Sequence, residues 1–268
     1  MRCRIRVQRV GARSQRQVKK STTKPVKVKV KAPMALRLAS KVTKGTGQLP
    51  ALVSHIESNC TSSHERVKRI NALIDGRVCL TNYLHALYSL REWMGKRCAT
   101  YVETGTLFGG SLALVMQCKT PCYYIGVDLY QGYYGCDIEK GSQGASKRIT
   151  DATHLEHVQG NVNCLNVHNH PYDLVKGSSY APETVSRVKD LLGDRKIDLL
   201  FIDGDHSLSG VTNDFHSYCD LVNRNGVVVF DNYADPRWPE VEMAVQDLDL
   251  RDYCTVGCIG HSLILYKK

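Results

Sequence analysis

Leu199-Leu200-Phe201-Ile202-Asp203-Gly204-Asp205-His206, followed about twenty residues later by Val227-Val228-Val229-Phe230-Asp231-Asn232-Tyr233, sets the fold class. Each stretch is a short apolar run, rich in β-branched and aromatic residues, that ends abruptly in acids. Strands buried on both faces read as continuous hydrophobic runs, and they occur in parallel sheets covered by helices. Between the two runs, Val211 to Val222 has helical spacing. The unit is therefore strand, helix, strand, with polar residues at the carboxyl end of each strand.

The same alternation extends in both directions. Upstream, strands are expected at Ala99–Glu103, Cys122–Asp128 and Leu155–Gln159, with helices at Gly110–Gln117, near Ser146–Asp151 and at Pro182–Leu192. Downstream, a helix is expected at Pro239–Leu248. Two leading helices, Ile56–Leu73 and Leu80–Trp93, precede the sheet; Leu80, Leu84, Leu87 and Leu90 recur on one face of the second. Tyr253–Cys258 and His261–Lys267, separated by Ile259-Gly260, read as a closing hairpin. The fold class is α/β: a Rossmann-like, doubly wound, mostly parallel sheet with a C-terminal antiparallel hairpin. The expected organisation is a tail over 1–48 and one domain over 49–268.

The tail differs sharply in charge. The chain of 268 residues carries 36 Lys+Arg against 26 Asp+Glu, a formal charge of +10. No acid precedes Glu57, and 15 of the basic residues lie between Arg2 and Lys44. Such a stretch, broken by Pro25, Pro33, Gly45 and Gly47, is expected to be disordered alone. It suits an organellar transit peptide, a grip on nucleic acid or anionic membrane, or a solubilising tail, and charge alone does not choose among them. No run approaches the length of a membrane span. The 11 cysteines are scattered, which suits an intracellular, reduced protein in an unspecified compartment. Cys118-x3-Cys122 and Cys254-x3-Cys258 offer a loosely spaced four-thiolate zinc alternative beside expected strands.

In open α/β sheets ligands sit at the carboxyl ends of strands. The first strand there gives Glu103-Thr104-Gly105-Thr106-Leu107-Phe108-Gly109-Gly110-Ser111. Gly105 permits a sharp turn and close approach of a ligand to the backbone. Gly109 and Gly110 open a helix whose N–H groups can face an acidic group. A plain strand-to-helix turn explains the same residues. Asp128 ends the second strand, where a carboxylate can accept both ribose hydroxyls of a nucleoside, or cap a helix. Asn161, after the third expected strand, can border an adenine. Asp203, Asp231 and Asn232 present hard oxygen donors suited to Mg²⁺. His206, three residues after Asp203, has the intrinsic basicity to accept a proton near neutrality. Tyr130–Gln143 reads as a lid, Asn161–Tyr180, with His168 and His170, as a long acceptor-selecting connection, and Trp238 as a cleft wall.

Together VETGTLFGGS, IGVD, FIDGDHSLSGVTNDF and NGVVVFDNY, within about residues 80–268, resemble the class I S-adenosylmethionine-dependent methyltransferases. The DGDHS block and the Asp-Asn strand end are similar to the metal-dependent sugar O-methyltransferase branch, with catechol-type enzymes as more distant cousins. The resemblance implies S-adenosylmethionine as cofactor. It places Glu103, Gly105 and Ser111, with Thr104 and Gly109 in the same loop, at the methionine moiety. It places Asp128 at the ribose, Asn161 at the edge of the adenine pocket, and Asp203 beside the cofactor. Asp203, Asp231 and Asn232 would hold Mg²⁺. Asp203 and His206 would be catalytic, His206 as general base where the catechol cousins carry a lysine; that departure favours an alcohol acceptor. The implied partner is a small-molecule or glycan hydroxyl, in a protein able to form a homo-oligomer. Two rivals are a nucleic-acid methyltransferase using the basic tail and a non-catalytic scaffold with this fold.

Overall fold

The computed structural model describes residues 49–76, 84–131 and 149–268. Two helices lead, α1 (Leu49–Leu73) and α2 (Leu84–Met94). They are followed by β1 (Thr100–Thr104), α3 (Gly110–Val115), β2 (Tyr123–Asp128), α4 (His154–Leu165), β3 (Tyr172–Lys176), α5 (Pro182–Leu192) and β4 (Ile197–Ile202). The chain continues through α6 (Leu208–Tyr218), β5 (Val222–Phe230), α7 (Pro239–Asp247), β6 (Tyr253–Ile259) and β7 (Ser262–Lys267). The sheet has strand order β3-β2-β1-β4-β5-β7-β6. β3, β2, β1, β4 and β5 pair in parallel, whereas β7 runs antiparallel to β5 and β6. The doubly wound sheet and closing hairpin are thus as expected.

Alternation along each central strand feeds two cores. Tyr101, Leu199, Phe201, Val227, Val229 and Ile264 face the layer made with α1 to α4. Val102, Leu200, Ile202, Val228, Phe230 and Leu265 face the opposite layer, packed with α5, α6 and α7. A strand whose neighbours cover both faces has no position for an exposed polar residue, which is why the sequence shows unbroken apolar runs. At β2, β4 and β5 an acid marks where the strand ends.

The third strand requires a correction. Leu155–Gln159 lies inside α4, and Asn161 is a helical residue. His154, Val158, Asn161, Val162 and Leu165 are its buried residues, a spacing of one helical face. The true β3, Tyr172–Lys176, falls within the stretch read as a long connection. His170, in that connection, is buried, donates through Nε2 to the Cys118 carbonyl at 2.9 Å and packs on Tyr124, toward the amino end of β2. It cannot select an acceptor at the opposite edge. Residues 149–150 have no regular structure and 151–153 form a turn rather than helix, and the rest of the expected Ser146–Asp151 helix lies outside the described residues, as does most of the proposed lid and all of residues 1–48. Cys118, Cys122, Cys254 and Cys258 are buried free thiols, and among the described residues no group of three or more His, Cys, Asp or Glu side chains could hold a metal. Among the described residues no helix is long and apolar enough to cross a membrane.

Candidate active site

Backbone pairing aligns four strand ends at the carboxyl edge. Gly105 N–H donates to Val127 O at 2.8 Å, Asp203 N–H to Thr104 O at 3.0 Å, and Asp231 N–H to Ile202 O at 3.0 Å. The ladder thus continues one residue beyond β1, β4 and β5 and sets the loops after β2, β1, β4 and β5 side by side. Gly105, at φ 87°, sits so close to β4 that a Cβ would lie 1.9 Å from Asp203 O. No other residue type can occupy it without moving a strand end.

Glu103 is fully buried. Tyr101 Oη donates to its Oε2 at 2.7 Å, while Oε1 completes no hydrogen bond, nor does the buried Thr106 hydroxyl beside it. Burial pushes the Glu103 carboxyl up to about 8, against the lowering effect of the Tyr101, Ser111 and Thr106 hydroxyls. Asp128 is gripped by backbone: Leu107 N–H donates to Oδ2 and Tyr130 N–H to Oδ1, both at 2.8 Å. Burial raises its carboxyl to about 6 in spite of these bonds. Each oxygen keeps a second lone pair for a ligand hydroxyl.

Asp203 and His206 meet at the end of β4. His206 Nε2 lies 3.0 Å from Asp203 Oδ1, and the imidazole is only 7% exposed. Burial lowers the His206 pKa, but the bond to Asp203 and the nearby carboxylates of Asp231 and Asp205 outweigh it and hold the pKa above its usual value. The ring packs against Trp238, centroids 4.8 Å apart. Local sequence explains the placement: Ser207, the next residue, caps α6 by accepting from Gly210 N–H at 3.1 Å, which fixes where the chain turns. Asp231 accepts from Ser262 Oγ at 2.7 Å, and burial and Asp203 push its carboxyl up to about 7. Asn232, at φ 55°, directs its amide nitrogen toward Asp235, 3.4 Å away.

Asn161 stands apart from this group in its contacts. Its amide accepts from Asp75 N–H at 3.1 Å and donates to Asp75 O and Phe108 O at 2.9 and 3.1 Å, so all of its polar atoms tie α4 to neighbouring backbone. Sequence pattern gives no sign of Asp214, which is buried and accepts from Thr104 Oγ1 at 2.8 Å and from Ser179. It gives none of His154 either. Neither stands at a strand end, where the sequence pattern marks its sharpest candidates.

Residues 102–233 match the family model described as a methyltransferase domain. An uncharacterized protein of Acanthamoeba polyphaga mimivirus is 32% identical over 206 residues, covering 73% of this chain and 83% of the relative. The chain belongs to this methyltransferase-domain family. Solved methyltransferases share its fold. CalS11, a TDP-rhamnose 3'-O-methyltransferase of calicheamicin biosynthesis, superposes with a TM-score of 0.52 at 16% identity, covering 85% of this chain and 97% of its own. An O-methyltransferase from Bacillus cereus, in complex with SAH, gives 0.50 at 13% identity, covering 88% and 97%. The strand-end cleft of this methyltransferase fits such a cofactor. The unpartnered Glu103 oxygen is a buried acceptor that a cationic group would draw into its ionised form, the Gly105 turn leaves no side chain in the way, and Asp128 retains acceptor capacity for two hydroxyls.

Proposed function

We propose that this methyltransferase transfers the S-adenosylmethionine methyl group to a hydroxyl of a sugar or another small molecule, with Mg²⁺ assistance. The observation that carries the reading is the Asp203–His206 pair at the end of β4, flanked by Asp231. The cofactor supplies an electrophilic sulfonium methyl. Asp128 would orient it through the ribose, and Glu103, ionised on binding, would balance its positive charge. His206, held against Asp203 with its pKa above the usual value, would take the acceptor proton. Trp238 would hold the ring in place by packing against it. Asp203, Asp231 and Asn232 suit Mg²⁺ by donor type, since two mutually repelling carboxylates and an amide are hard oxygen donors. Bound there, the cation would lower the pKa of a coordinated hydroxyl.

His206→Ala is expected to lower turnover by about 10² to 10⁴, the usual range for a lost general base, with cofactor affinity unchanged. Chelation with EDTA should abolish turnover, and Mg²⁺ should restore it. Methyl transfer to hydroxyl acceptors that is indifferent to both changes would remove His206 and the cation from the reaction.

A further inference from the structure

The loop after β1 has positive φ at alternating positions: Gly105 at 87°, Leu107 at 47° and Gly109 at 84°. The outer two are glycines. The middle residue is a leucine, for which a left-handed backbone costs roughly 1–2 kcal/mol. Leu107 is also the residue whose N–H grips Asp128 Oδ2. Its carbonyl, on the other side of the same residue, accepts from His154 Nε2 at 3.1 Å. His154 is the first residue of α4 and is wholly buried, against the rings of Phe108 and Tyr130.

The chemistry of that histidine is specific. A carbonyl only accepts, so Nε2 carries the hydrogen and Nδ1 is left as a lone pair. Nδ1 is buried and completes no hydrogen bond. Burial also lowers the His154 pKa, which keeps the ring neutral and maintains this tautomer. An orphaned buried acceptor is destabilising, and a phenylalanine could fill an aromatic-lined site without that cost. Packing therefore does not account for a histidine at 154; the bond to Leu107 does.

We propose that His154 is a positioning residue for cofactor binding, clamping Leu107 in its left-handed conformation so that the Leu107 N–H stays on the Asp128 carboxylate. His154 touches no reacting atom. It acts through Leu107 on Asp128, and the inference rests on the assignment of Asp128 to the cofactor. The clamp exists because leucine, unlike glycine, does not hold this backbone conformation cheaply.

That dependence gives the test. S-adenosylhomocysteine is titrated calorimetrically into the full-length wild type, His154→Phe, His154→Gln, Leu107→Gly and the double variant His154→Phe/Leu107→Gly, with melting temperatures recorded in parallel. His154→Phe should weaken binding by about tenfold, the scale of one lost hydrogen bond, without lowering turnover at saturating cofactor. His154→Gln, which keeps an N–H donor, should recover most of the affinity. In the Leu107→Gly background the His154→Phe loss should shrink to about twofold, because glycine needs no clamp. Wild-type affinity in His154→Phe, or an equal loss in both backgrounds, would overturn the proposal. A wild type that fails to bind the ligand would overturn the Asp128 assignment and the clamp with it, and that result is distinguishable from a clamp failure on a binding-competent protein.

Discussion

Gly105 and Gly160 carry the same side chain and opposite constraints. A Cβ at 105 would meet Asp203 O at 1.9 Å and Gly204 Cα at 2.8 Å from a positive φ, whereas at 160, in the exposed middle of α4, it would meet nothing within 4 Å. Gly105→Ala should therefore destabilise the protein by about 3 kcal/mol, combining overpacking with backbone strain, and abolish cofactor binding. Gly160→Ala should stabilise by up to about 1 kcal/mol through helix propensity. Urea unfolding midpoints check both, and similar midpoints for the two variants would contradict the close contact between the β1 and β4 loops. Strand-end residues such as Gly105, Asp128, Asp203 and Asp231 are legible in sequence because a buried apolar run gives its end away. His154 is not, because its role depends on the φ angle of a leucine 47 residues earlier.

At the scale of elements, the misplacement of the third strand shows what local pattern cannot decide. α4 has valines at 158 and 162 and a glycine at 160, which locally imitate a strand and its turn, while one face of the helix supplies the burial. β3 has only one buried residue, Val175, and an aspartate and a lysine in a short run. Such polar edge strands carry a weak hydrophobic signal. α6 contributes a second hidden group, Asp214, whose buried carboxyl bridges Thr104 on β1 and Ser179 before α5. Burial raises it from an ordinary 3.8 to about 6. Between those values the folded chain keeps a proton that the unfolded chain releases, so this group makes stability fall as pH rises from about 4 to 6 and adds no slope above. The difference across that window is about 3 kcal/mol, because each tenfold change in proton affinity is worth about 1.4 kcal/mol. Asp214→Asn removes it. Denaturation of wild type and variant across pH 4 to 7 should give curves that converge or cross in this window; parallel curves would show that Asp214 keeps an ordinary pKa in the fold.

At the scale of the whole molecule, the described residues form a two-layered sheet that gathers Asp128, Asp203 and Asp231 at the carboxyl edge of its parallel strands. Continuation of the ladder past β1, β4 and β5 makes the position of one loop depend on the next, so the Asp128, Glu103, Asp203 and Asp231 carboxylates are set by the sheet rather than by loop packing. Glu103, Asp128 and Asp231 carry raised pKa values, with burial as the first cause in each. This buried acid is where the proposed cationic cofactor and cation would be held. Residues 1–48, with their acid-free basic sequence, lie outside the described residues, and the reading of them as a targeting or nucleic-acid-binding tail rests on charge. Calorimetric titration of S-adenosylmethionine into the full-length protein and its Asp128→Ala variant, with Mg²⁺ present, tests the assignment of the cleft. Dissociation in the micromolar range for the wild type, weakened by about tenfold to a hundredfold in the variant as two charge-assisted hydrogen bonds are lost, is the expected result. Equal binding by both proteins, or none by the wild type, would contradict it.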